Sequence, residues 1–275
     1  MALIALSSQL GAGGPEIGLA LSQRLGYRYV DQELLQDAGL RYGLAEEKLS
    51  HLDDSKPSFF ERFDTETRRH ITVLQTTLLE LAELDNAVLM RGGGQWLLRG
   101  VPHVLRVRLI APFDYRVKQW IKRQAATSGE TFNQRAAAQL VRNDDNEKAG
   151  RMRYLYEVDL SDPMLYELIV NTEMLRCDAI VEMVEGLTKR PEMATTEAGR
   201  QMIASRALAS RVQVELATHP ETRRYRITVE AQNGVVTLEG TTALDRAVEV
   251  ARSVPGVRDV RTQQVEIPPI PPFVA

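Results

Sequence analysis

A glycine-rich turn set between an apolar run and an amphipathic helix does most to limit what this chain can fold into. Residues 3–7 (LIALS) form the run, residues 11–14 (Gly-Ala-Gly-Gly) the turn, and residues 15–26 the helix, where Ile17, Leu21 and Leu25 fall four apart on one face. A short run that is apolar throughout suits a strand covered on both faces. Pro15 is tolerated in a first helical turn, and Gly26 ends the helix. Strand, glycine turn and helix together open a βαβ unit, the unit of parallel sheets.

The same alternation continues along the chain. Residues 27–30 (YRYV) read as a second strand, with Asp31 capping a helix after it. Residues 58–85 read as a long helix whose Phe59, Phe60 and Phe63 are packing residues. Residues 87–90 and 104–111 are strands, and Pro112 opens a basic helix that reaches Arg123. A polar helix over 131–150, a strand over 167–172 and a helix over 178–187 close this half. The expected fold class is α/β, a parallel sheet flanked by helices, in a first domain over residues 1–187. Residues 188–199 are polar, contain Pro191 and read as a linker. Beyond it the grammar changes. Residues 200–218 are helical, and the alternating strands 225–231 and 235–240 meet at Asn233-Gly234, a strong hairpin signal. A helix over 243–253 and one more strand complete a small α+β domain over residues 200–267. Residues 268–275 (PPIPPFVA) form an extended, Pro-rich tail.

Composition removes several function classes. With 44% apolar and 26% charged residues the chain can build a packed core. Its formal charge of -3 gives no overall basic excess, so no nucleic-acid partner and no membrane contact is expected. No stretch approaches the roughly 20 apolar residues of a membrane span. The start lacks the basic n-region of a secretory signal, so the expected location is the cytoplasm. Cys177 is the only cysteine, which excludes an intrachain disulfide and argues against a Cys-based zinc site. His51, His70, His103 and His219 show no ligand spacing, so no side-chain metal site is expected.

The glycine turn sits where an anion site needs it. Glycines let several backbone N–H groups converge, and a helix start adds partial positive charge. The full phosphate-loop pattern GxxxxGK[ST] is not met, because its first glycine is Ser8, its lysine is Gly14 and its hydroxyl residue is Pro15. A tight strand-to-helix turn with no ligand satisfies the same residues, so both readings stand on the turn alone.

Further segments carry a resemblance. IALSSQLGAGGPEIG, YRYVDQELL, VLMRGGGQWLLRG followed by VLRVRLIAP, RNDDNEKAGRMRYLYEVDLSDP and YELIVNT, in that order, resemble the cytidylate kinase-like family of P-loop nucleoside monophosphate kinases over roughly residues 1–187. The resemblance implies a P-loop kinase-like sheet, ATP with Mg²⁺, a helical region for the acceptor and a lid. It implies a kinase that transfers the γ-phosphoryl group of ATP to CMP or a similar monophosphate. Gly11, Ala12, Gly13, Gly14, Pro15 and Glu16 would line the donor phosphates, and Asp31 and Arg91 would face the acceptor. Asp145, Lys148 and Arg151 would belong to the lid, and with Arg91 they would be the catalytic residues. Two family cations are missing, since an arginine common in relatives is Ser8 here and another is Pro15. Arg24, Arg116 or a lid arginine is left to compensate. The alternative is a kinase-like nucleotide sensor of little or no activity.

The remaining candidates read as structural. Residues 99–123 hold seven basic side chains and one acid; part of an anionic substrate cleft is one reading, but most of them read as structural, Arg106 and Arg108 on one face of a strand and the helix basics on a solvated face. Cys177 reads as buried, and Trp96 and Trp120 as packing residues. In the C-terminal part, NGVVTLEGTT, ALDRAVEVARSV and PGVRDVRTQQVEI resemble a BON domain. That resemblance implies an association module, for self-association or a protein partner.

Overall fold

In the computed structural model of the chain, β1 (Leu3–Ser8), β2 (Arg28–Val30), β3 (Ala87–Leu89), β4 (Val104–Ile110) and β5 (Leu168–Asn171) form one sheet in the order β2-β3-β1-β4-β5. Every pairing in it is parallel. The structure describes residues 2–31, 40, 42, 65–90, 93–127, 129 and 132–265. The helix expected after Asp31, Phe59, Phe60 and Phe63, and the tail 268–275 lie outside the described residues. The chain divides into two compact units, Met1–Ile203 and Ala204–Ala275.

The helices of the first unit are α1 (Gly14–Leu25), α2 (Thr65–Glu83), α3 (Gly94–Leu97), α4 (Phe113–Thr127), α5 (Gln134–Tyr156) and α6 (Cys177–Thr188). The apolar runs are covered on both faces: Leu3, Ile4, Ala5 and Leu6 are each at most 2% exposed. Successive residues serve opposite faces. Ile4 and Leu6 join Leu105, Val107 and Leu109 in the core shared with Ile17 and Leu21 of α1 and with Ile180 and Val184 of α6. Ala5 and Ser7 take the other face. There α3 packs at ordinary van der Waals distance, with Gly94 next to Ala5 and to Leu78 of α2. Trp120 packs edge-on against Phe132 at 4.8 Å, and Trp96 lies 5.9 Å from Tyr156.

The second unit holds β6 (Ile227–Gln232), β7 (Val235–Gly240), α8 (Leu244–Arg252) and β8 (Asp259–Gln264), together with the part of α7 (Glu197–Thr218) from residue 204 onward. β6 and β7 are antiparallel, β7 and β8 parallel. Asn233 (φ 51) and Gly234 (φ 82) both take the left-handed conformation that a two-residue hairpin requires. Leu208, Val212 and Leu216 join Ala247, Val250 and Ala251 in covering Ile227, Val236 and Leu238. Among the described residues no helix is long and apolar enough to cross a membrane.

Candidate functional site

β1 ends at Ser8, and the chain turns through residues 9–13 into α1. Gly11 (φ 84) and Gly13 (φ 81) are left-handed, a region that side chains enter only at a cost. A Cβ on Gly11 would also collide with the backbone carbonyl of Arg116. Gly13 is the N-cap of α1 and, lacking a side chain, offers that helix no side-chain cap; among the described residues no other side-chain hydrogen bond to its first amides is seen. The Ala12 N–H donates to the Gln9 carbonyl at 3.0 Å and the Ile17 N–H to the Gly13 carbonyl at 3.0 Å, which shapes the turn. The loop and the start of α1 line a cavity of about 940 Å³. Uncapped N–H groups and the positive end of the helix there suit an anion.

The loop departs from the phosphate-loop pattern by an exchange rather than a simple loss. A Cβ on Gly14 would lie 2.6 Å from both Cβ and Oγ of Ser8. The pattern has glycine at position 8 and lysine at position 14. With serine at 8, position 14 has no room for a side chain.

Cations reach the loop from other elements. Lys148 of α5 donates to the Ser8 carbonyl at 3.5 Å and pairs with Asp144 at 3.0 Å. Arg151, one turn on, lines the same cavity. Arg116 of α4 is 4% exposed. It donates to the Ala111 and Leu10 carbonyls at 3.1 and 3.3 Å and to both carboxylate oxygens of Asp145 at 3.1 and 2.7 Å. It thereby ties the loop to α4 and α5.

Arg108 of β4 also lines the cavity and is 9% exposed. It donates to Ser7 Oγ at 2.5 Å and lies 5.9 Å from the Tyr166 ring. Burial holds its pKa below the ordinary arginine value, against the opposing pull of Tyr166 and Asp145. The expectation of a solvated face for the helix basics is corrected at Arg116, which is buried, and Arg108, expected as a structural residue on a strand face, is buried on the cavity wall. Arg106 is bound to Glu167. On the α2 side, Ile71, Leu74 and Met152 give the cavity an apolar wall. Gln75 there donates to the Tyr156 hydroxyl at 2.8 Å and bridges α2 to α5. A cavity with an apolar wall, the helix-start amides of Gly14 and Glu16 and several cations has the chemistry to hold a base and phosphates together.

Of the residues singled out in the sequence, Gly11, Ala12, Gly13, Gly14, Pro15, Glu16, Lys148 and Arg151 line this cavity. Glu16 pairs with Arg123 at 3.3 Å. Asp145 is turned to Arg116 and is not among the lining residues, and neither is Asp31, which is half-buried just after β2. Arg91 lies outside the described residues. Arg24 is bound to Glu185 at 2.9 Å. Cys177 is exposed rather than buried and borders the cavity at the start of α6. Sequence reasoning passed over Ser7 and Arg108 as site residues. The register that brings them together, Ser7 opposite Arg108, is a property of the sheet.

Comparison with known proteins agrees with this architecture. Residues 205–269 match the BON domain. A cytidylate kinase of Sulfolobus acidocaldarius is 24% identical over 191 residues, covering 69% of this chain and 96% of that protein. A cytidylate kinase of Thermococcus kodakarensis is 25% identical over 186 residues, covering 66% and 86%. An uncharacterized protein from Eubacterium ventriosum has the same fold over 69% of this chain and all of its own, with a TM-score of 0.52 at 13% identity. With residues 3–174 matching its pattern over the sheet, the glycine loop and α5, the chain belongs to the cytidylate kinase-like family.

Proposed function

We propose that the first domain, delimited at residues 1–187, transfers the γ-phosphoryl group of ATP to CMP or a similar nucleoside monophosphate. An oxygen of the acceptor phosphate forms a bond to the γ-phosphorus while the bridge to the β-phosphate breaks, and ADP leaves with the electron pair. The observation that carries this reading is the uncapped start of α1 opening onto the cavity, with the Lys148 ammonium 3.5 Å from the carbonyl of Ser8 beside it.

In this reading residues 11–16 line the donor phosphates. Phosphoryl transfer runs through a loose transition state whose charge sits on peripheral oxygens, so placed cations do most of the work. Lys148 and Arg151 supply that charge from α5. Asp145 is a positioning residue that acts through Arg116 on the loop. Asp31 and Arg91 are assigned to the acceptor side on family resemblance. A magnesium ion would arrive with the nucleotide, since this ion prefers phosphate oxygens and water. The relatives named cytidylate kinase support CMP as the acceptor. We place the activity in the cytoplasm. Residues 188–199 serve as linker, and the BON domain over 200–267 mediates self-association or a protein contact.

A second reading is favoured by the loop itself, where Gly14 and Pro15 stand in place of an ammonium and a hydroxyl. The chain would then hold nucleotide as a sensor without turnover. ADP release, measured in a coupled assay over a panel of nucleoside monophosphates, separates the two. Turnover with CMP supports the kinase, and ATP binding by calorimetry without turnover supports the sensor. Absence of ATP binding at millimolar ATP and magnesium overturns both.

A further inference from the structure

Three other arginines near this sheet come with carboxylates. Arg116 is held by Asp145, Arg106 by Glu167 and Arg24 by Glu185. Arg108 differs. It is nine-tenths buried and on the cavity wall, and among the described residues its hydrogen bond is to a neutral acceptor, Ser7 Oγ, at 2.5 Å. Asp144 and Asp145 are near enough to favour its charge, yet neither pairs with it. A guanidinium does not shed its proton in a protein. A buried charge without a counter-charge is costly, and an arriving anion removes that cost.

The place of Arg108 says which anion. Ile4 and Leu6 face α1, so strand alternation turns Ser7 and its register partner Arg108 to the α2 and α3 face. The start of α1 and the Arg108 guanidinium thus approach the end of β1 from opposite faces of the sheet, with Lys148 at the Ser8 carbonyl. Two phosphoryl groups that react with each other need two such holders, one for each.

We propose that Arg108 binds the phosphate of the acceptor nucleotide and supplies from β4 a positive charge that the glycine loop does not carry. This rests on the reading of the cavity as a nucleoside monophosphate kinase site. The planar fork of a guanidinium matches two phosphate oxygens, and the bond to Ser7 fixes its orientation.

The test compares CMP with cytidine, whose affinities differ by the phosphate alone. Calorimetry on the full chain gives that ratio for the wild type and for Arg108→Met and Arg108→Lys. The expected result is a ratio about 10- to 100-fold lower in Arg108→Met, with cytidine affinity unchanged and the thermal midpoint no lower. Arg108→Lys regains part of the ratio, and it carries the same test should the methionine variant not fold. An unchanged ratio overturns the assignment. So does an equal weakening of CMP and cytidine, which would mark Arg108 as structural, and so does a wild-type ratio of one. The kinase reading fails separately. Phosphate-dependent CMP binding that is lost in Arg108→Met, in a chain that never releases ADP, upholds Arg108 and removes the kinase. ADP release with an unchanged KM for CMP in Arg108→Met does the reverse.

Discussion

Arg116 and Asp145 face each other across α4 and α5, the guanidinium donating to both carboxylate oxygens at 3.1 and 2.7 Å. The same guanidinium holds the Leu10 carbonyl, and the Arg116 main chain occupies the space that a side chain on Gly11 would need. A helix 29 residues further along the chain therefore shares in shaping the glycine loop. The spacing of Asp145 and Lys148, three apart, puts one on the loop's support and the other on the loop itself.

Asp145→Ala leaves the Arg116 guanidinium buried without its counter-charge. The expected loss is about 2 kcal/mol, below the roughly 3–5 kcal/mol of a fully buried pair, because the Asp145 side chain is 30% exposed. Urea unfolding checks it. ATP affinity should fall with it as the loop loosens, whereas an unchanged affinity would separate the pair from the loop.

Lys148→Met removes the ammonium that reaches the Ser8 carbonyl. Its partner Asp144 lies one helical turn away at a partly exposed site, so stability should change by less than about 1 kcal/mol. The rate of ADP release should fall about 100-fold, the scale set by removing one preorganised charge from a transition state. A rate within threefold of wild type would take Lys148 out of the site.

Gly14→Lys, which would restore the missing ammonium on paper, should instead destabilise the loop, since its Cβ meets Ser8 at 2.6 Å. The double variant Ser8→Gly with Gly14→Lys should be more stable than Gly14→Lys alone by about 1–3 kcal/mol. Thermal unfolding of the two single variants and the double variant reads this coupling directly. Additive effects would mean that positions 8 and 14 do not contend for the same space.

His103 carries a pH dependence away from the site. Its side chain is fully buried and Nε2 lies 3.4 Å from Asp85. Burial lowers its pKa below the ordinary 6.5, against the pull of Asp85. The unfolded chain therefore binds this proton more readily than the folded one. The stabilising contribution is whole above pH 6.5 and is lost as pH falls from there through the folded value. The urea midpoint should drop between pH 7 and 5, and His103→Gln should flatten part of that drop. Equal slopes for both proteins would assign the acid sensitivity elsewhere.

The parallel sheet, the glycine turn and the Asn233-Gly234 hairpin are legible in the sequence because adjacent residues decide them. The buried cations are not. Within residues 99–123, Lys118 is exposed and Arg116 buried, although both sit on one basic helix. What separates them is Asp145, 29 residues away, just as Arg108 is set by Ser7, 101 residues away. Composition sees a run of positive charge, whereas the fold decides which of its members find a partner. Cys177 is similar: as a lone cysteine it reads as core, yet it is exposed at the start of α6.

The contention between Ser8 and Gly14 also bears on descent. A lysine gained first at 14 meets a filled neighbour, and a glycine gained first at 8 adds backbone freedom at a strand end with no charge in return. On this geometry a lysine at 14 is accommodated only where residue 8 gives up its side chain, which couples the two positions in any change of the loop.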